Sequence, residues 1–316
     1  MVEPDIDLSS APDARARSLA GRVPDTLPGL ALLAALLARV LPSATLASRV
    51  DVLLGVLVLA TALDIDPRQL LAVGARWRLV LLLAVVPLVV LTLAGWALAQ
   101  LAHGDMRDGV LALGLSPTEV ASVGLIGLLA GPAELGIAVL AVSLVLSAVA
   151  GPPALAMLGG AGHAAHVLPL LGRFGLVVIL PLALGLLARG AQPRLARAEA
   201  ELSAASSLTV AVLIYASLSG TPKGDLAGAA LLSGGFLAIS ALLAVGTLRA
   251  LGTLHAPGGS ADRSLALAVG MRDFAVAAAL ATGTFGAKAA YVTGIYGVLM
   301  LLAGAGVTGV VRRARP

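Results

Sequence analysis

Long apolar stretches separated by short polar punctuation run through this chain from about residue 27 to residue 311. A helix rises 1.5 Å per residue, so about 20 apolar residues cross the roughly 30 Å of hydrocarbon in a bilayer. Stretches of about that length are predicted at 27–42, 48–64, 79–102, 108–130, 133–156, 167–189, 205–221, 225–250, 264–285 and 288–311, the first, second and seventh being short. In lipid every backbone N–H and C=O must find a partner within its own segment, which makes each stretch a helix. The predicted fold class is therefore an all-α polytopic membrane protein with about ten transmembrane helices.

Composition gives the same answer. Of 316 residues, 59% are apolar and 12% are charged, against roughly half and a quarter in soluble domains. A compact core could not be covered with polar surface from this chain, so the lipid bilayer is its first expected partner. Cysteine is absent, which excludes disulfides, thiolate metal sites and a Cys nucleophile. No P-loop, Ser-His-Asp arrangement or HExxH occurs, so the chain is not expected to be an enzyme. The 19 Arg and two Lys are scattered without a basic run, so no nucleic-acid partner is expected.

Those cations also orient the chain. With the amino terminus inside, 14 of them, from Arg15 to Arg315, fall on the cytoplasmic side. Arg49, Arg107, Arg173, Lys223 and Lys288 fall on the other side, while Arg39 and Arg272 lie within spans. This excess on the inner side predicts a cytoplasmic (inner) membrane protein with both termini cytoplasmic. Residues 1–26 carry charges of both signs and no apolar core, which reads as a cytoplasmic tail rather than a cleaved signal.

The chain also carries a trace of internal symmetry. A shift of 154 residues lays the fourth and fifth spans over the ninth and tenth and places Glu119 on Asp273. Five spans per half is an odd number, so the halves, 27–158 and 159–311, are expected as inverted repeats, with 312–316 a basic cytoplasmic tail. Inverted repeats commonly place a site near the midplane, where discontinuous helices meet.

Two spans are interrupted. The fourth reads LGLSPTEVASVG from Leu113, with Pro117 and Glu119 inside an apolar run. Proline removes a ladder hydrogen bond and clashes with the preceding turn, so a break is predicted at Pro117. The ninth reads ALAVGMRDFA from Ala266, with Arg272 and Asp273 adjacent and a break expected at Gly270. A lone Arg at the bilayer centre costs at least ~2.5–3.5 kcal/mol on insertion scales, so Arg272 must face protein or water. The expected arrangement brings the breaks together, with Arg272 in salt-bridge reach of Glu119 or Asp273.

These residues carry a family resemblance. Pro117-Thr-Glu-Val-Ala-Ser122-Val123 resembles the Pro-Gly-Gly-Thr-Ala-Ser-Asn signature of the bile acid:sodium symporter family, and Ala268-Val-Gly-Met-Arg272-Asp273 resembles its Glu-Val-Gly-Met-Gln-Asn signature. The resemblance implies a core domain whose two unwound helices, 4 and 9, cross near the membrane centre. It also implies a smaller panel domain and sodium-coupled uptake of organic anions. Three positions depart from the pattern: Val123 and Ala268 stand where the family has Asn and Glu, and Arg272 where it has Gln. Hard cations need oxygen ligands and a guanidinium offers none, so sodium coupling is expected to be altered or absent. No other cofactor is expected.

The resulting expectation is a secondary transporter of a small organic anion working by alternating access. Its site residues would be Glu119, Ser122, Arg272, Asp273, Ser143 and Ser147. A related proton-coupled antiporter or metalloid exporter, and a non-transporting sensor or scaffold, are the competing readings. Substrate, coupling ion, transport direction and oligomeric state do not follow from the sequence. Among other polar marks, His163 and His166 have helical ligand spacing but no third ligand, and read as loop histidines. Arg39 and Asp51 flank the first connection and could pair or snorkel, in a structural role. Tyr291 and Tyr296 could reach a pocket. Gln192 to Ala204 reads as an amphipathic connector between the halves.

Overall fold

The computed structural model describes residues 23–119, 133–159, 167–192, 198–221, 225–254 and 270–314, and these are helical apart from short connections. The first helices are α1 (Val23–Val40), α2 (Ala44–Ala47), α3 (Val50–Asp64) and α4 (Pro67–Ala72), followed by a 3₁₀ turn over Val73–Arg76. Next come α5 (Trp77–Ala99), α6 (Asp105–Leu115) and α7 (Ala133–Gly159). The remainder are α8 (Val167–Phe174), α9 (Leu180–Ala191), α10 (Glu199–Ser219), α11 (Leu226–Leu254), α12 (Phe274–Phe285) and α13 (Ala290–Ala314). Among the described residues, five helices are long and apolar enough to span a bilayer, and three more apolar helices are shorter. The chain is an integral membrane protein.

Local chemistry explains several ends. A π-helical turn over Gly175–Ile179 joins α8 to α9. Pro181 follows it and has no N–H to return to the preceding turn, which widens the helix there. The helix α6 opens with Asp105 and Asp108 in its first turn, where the dipole favours acids. It stops at Leu115 because the residue before a proline avoids helical geometry, and Ser116 is extended at φ −71°, ψ 152°. The helix α12 ends at Gly286, whose φ of +99° suits a residue without Cβ. The connector expected over Gln192–Ala204 is corrected in part, since Glu199 already begins α10 and the following residues continue that span.

Packing sorts the helices into two groups. The helices α1, α3, α8–α9 and α10 contact one another, while α5, α6, α7, α11, α12 and α13 form the second group. The groups meet where α13 touches α1 and α10, where α7 touches α8 and the π-helical turn, and where α12 touches α3. Close approach within the second group relies on small residues. A Cβ on Gly114 of α6 would come within 2.9 Å of the Leu91 carbonyl oxygen of α5, and Thr92 Oγ1 donates to the Gly114 carbonyl at 3.0 Å. Outward-facing leucines and valines, such as Leu36, Val52, Leu82, Leu93 and Leu231, are exposed, as a lipid-facing surface requires. The first eight residues of α12, Phe274 to Ala281, are buried, and the second group presents the crossing described next.

Candidate functional site

The interrupted segments meet in the middle of the second group. Ser116–Glu119 and Met271–Asp273 run antiparallel and form an isolated β-bridge between Thr118 and Arg272. The Glu119 N–H donates to the Met271 carbonyl at 3.0 Å, and the Asp273 N–H donates to the Pro117 carbonyl at 2.8 Å. The non-helical residues in the second segment begin one position after Gly270, which packs against α11.

The bonding pattern fixes where the side chains go. Hydrogen bonds one residue to either side make Thr118 and Arg272 the non-hydrogen-bonded pair, whose Cα atoms lie about 4.5 Å apart in a regular ladder and whose side chains leave on one face. Their own N–H groups point outward, and hydroxyls receive them. Thr118 N–H donates to Ser143 Oγ on α7 at 3.2 Å, and Arg272 N–H donates to the Tyr296 hydroxyl oxygen on α13 at 3.2 Å. The two acceptors stand 25 and 24 residues beyond the residues they hold. Tyr296 is itself fixed by an edge-to-face contact with Phe236, ring centroids 5.7 Å apart.

Three of the expected site residues hold backbone in place. Ser147 Oγ donates to the Leu115 carbonyl at 2.5 Å, taking up an orphan acceptor at the end of α6. Ser143 Oγ, besides receiving Thr118 N–H, donates to the Leu140 carbonyl at 2.9 Å. Asp273 is the N-cap of α12, its Oδ1 accepting from Ala275 N–H at 2.8 Å and Val276 N–H at 3.0 Å. Its charge thus answers the dipole of α12, which is no longer free to hold a substrate anion there.

Arg272 is different. It is the largest fully buried side chain in the described structure, 0% exposed, and its Nε, Nη1 and Nη2 all lack a hydrogen-bond partner among the described residues. Thr118, 1% exposed, has an unpartnered Oγ1. The expected salt bridge from Arg272 to Glu119 or Asp273 does not form. The physical reason is strand alternation, which sends neighbouring residues to opposite faces, so Glu119 and Asp273 leave the bridge away from Arg272. Both carboxyl residues are nevertheless buried beside the crossing. Ser122, the remaining expected site residue, lies outside the described residues, as do His163 and His166. No cluster of three or more His, Asp or Glu able to hold a metal ion occurs among the described residues.

A second arginine lies at one end of the bundle, where α1, α3, α8, α12 and α13 end or begin. Arg173 on α8 forms an ion pair with Asp51 on α3. It also covers Gly283 near the end of α12, where a Cβ would run into its Nη1. Beside it is a cavity of about 220 Å³ lined by Pro169, Leu170, Arg173, Gly283 and Thr284. The pairing of Arg39 with Asp51 is corrected accordingly: Arg39 Nη1 donates to the Tyr291 hydroxyl at 3.2 Å, across the two helix groups. Sequence reasoning missed Thr118 and this use of Arg173. The shift of 154 residues that aligned the halves also pairs Thr118 with Arg272, and was the available signal for the first.

The comparison of sequences names the class. The chain belongs to the SBF-like CPA transporter family (DUF4137), matched over residues 25–301 and related to the bile acid:sodium symporter superfamily. No curated protein matches the chain.

Proposed function

We propose that this protein is a secondary transporter of small organic anions, working by alternating access, with the crossing of Ser116–Glu119 and Met271–Asp273 as its binding site. The observation that carries the reading is the guanidinium of Arg272, fully buried and without a hydrogen-bond partner among the described residues. An uncompensated buried charge costs several kcal/mol, and a bound anion removes that cost in the occupied state. Ten spans in two inverted repeats, 27–158 and 159–311, are part of the proposal. In their support, the bridge pairs residues at the offset that superposes the halves, and each bridge residue gives its outward N–H to a hydroxyl about 25 residues further on. The proposed setting is the cytoplasmic membrane, with both termini inside.

Transport is expected not to depend strictly on sodium, because Val123 and Ala268 supply no side-chain oxygen and Arg272 brings its own positive charge to the crossing. Glu119 and Asp273, both buried there, favour a second reading in which protons are the coupling ion. Uptake of a panel of organic anions into proteoliposomes, with sodium and proton gradients imposed separately, tests both. Anion flux without added sodium is expected. Steep sodium activation would defeat the uncoupling from sodium, a proton-gradient requirement would select the second reading, and no flux under either gradient would leave a sensor or scaffold.

A further inference from the structure

Thr118 faces the same side of the crossing as Arg272, and both end in buried, unpartnered polar atoms. We infer that the two form one receptor for a small monocarboxylate, with both carboxylate oxygens on the Arg272 guanidinium and one of them also accepting the Thr118 hydroxyl. This rests on the reading of the crossing as the anion site. A guanidinium presents parallel N–H groups in a rigid fork that matches a planar carboxylate, and each carboxylate oxygen keeps a second lone pair for a hydroxyl donor. The cross-strand pairing places the hydroxyl on the face where that oxygen would lie.

Charge decides against tetrahedral dianions. Among the described residues Arg272 is the lone cation at the bridge, while Glu119 and Asp273 occupy the same buried crossing. A monoanion is matched by one guanidinium. A dianion such as sulfate or hydrogen phosphate would bring a second negative charge beside two carboxyl side chains in a low-dielectric interior. Thr118 itself has no backbone task that its hydroxyl performs, since its N–H is held by Ser143 and its Oγ1 by no described residue.

The test is equilibrium binding to the purified full chain in detergent, read as ligand-dependent thermal stabilisation at fixed ionic strength, with acetate, propionate, sulfate and inorganic phosphate as probes. Acetate and propionate are expected to stabilise the wild type at concentrations at least about tenfold below those of sulfate and phosphate. Thr118→Val keeps the shape and removes the hydroxyl, and should weaken acetate about tenfold or more, the value of one hydrogen bond to a charged group. Thr118→Ser should keep wild-type affinity. Sulfate or phosphate binding as tightly as acetate would overturn the inference without any variant. So would an unchanged Thr118→Val alongside an Arg272→Gln that no longer binds, a result that leaves Arg272 as the anion site. Binding by no probe, or binding that Arg272→Gln leaves intact, would remove the anion site itself.

Discussion

Two arginines sit among apolar helices in this molecule, and they are held in opposite ways. Arg173 is about a third exposed, faces an equally accessible Asp51, and lies over Gly283 where the helix groups touch. Arg272 is sealed from solvent, and among the described residues no group receives its three side-chain nitrogens. A paired, half-wet cation joins elements, and its worth is modest because water and salt already screen it. A dry, unpaired cation weakens the fold, so its presence needs another explanation, and a ligand of opposite charge supplies one. The difference comes from the backbone. Arg173 extends from a regular helix towards its neighbour, whereas Arg272 is set on one face of a bridge that turns the nearby carboxyls to the other.

The strongest test of that contrast is Arg272→Gln, which installs the residue type found at this position in the bile acid:sodium symporter signature. Anion affinity in a binding or uptake assay should fall tenfold or more, since a charge-assisted contact is worth roughly 1.5–3 kcal/mol. Thermal stability should hold or rise, because an uncompensated charge leaves the interior. Should Arg272 serve only to balance Glu119 electrostatically, the opposite pattern appears: Arg272→Gln damages folding, and adding Glu119→Gln restores it without restoring affinity.

Removing the clamp on the bridge ranks next. Tyr296→Phe deletes the acceptor for Arg272 N–H and leaves a buried donor unsatisfied, so unfolding in detergent should be easier by about 1–3 kcal/mol. Ser143→Ala should act comparably on the other side of the bridge. At the peripheral pair, Arg173→Ala should cost about 1 kcal/mol or less of stability and leave anion affinity unchanged, which separates its role from that of Arg272. A loss of affinity there would show that the mouth of the bundle takes part in binding. The smallest effect expected is that of Gly283→Ala. Its Cβ meets the end of a flexible side chain rather than backbone, so Arg173 swings aside and stability, followed by thermal denaturation, changes by a few tenths of a kcal/mol.

Much of this arrangement could be read in the chain. Pro117 removes an N–H from a helix and biases Ser116 to extended geometry by covalent structure alone, so α6 had to end where it does. The apolar runs had to become helices, because lipid leaves no other partner for their backbone. A buried Arg272 beside Asp273 announced a polar site at the second interruption. The side-chain partners were not legible. Adjacent opposite charges read as a salt bridge, yet extended backbone parts Arg272 from Asp273, and the carboxylate caps α12 instead. Asp51 reads as a neighbour of Arg39 in the first connection, but helix packing delivers Arg173 from 122 residues away.

What the sequence by itself determined is the solvent of this protein and the places where its helices break, since both depend on covalent geometry and on the backbone of each segment taken alone. Only the tertiary structure decided that the breaks at Pro117 and after Gly270 pair through Thr118 and Arg272, that Ser143 and Tyr296 hold them, and that a guanidinium is left without a partner among the described residues. Those outcomes depend on the register of two segments 154 residues apart. A slip of one residue would turn every side chain at the bridge to the other face, and no local pattern in the chain sets that register.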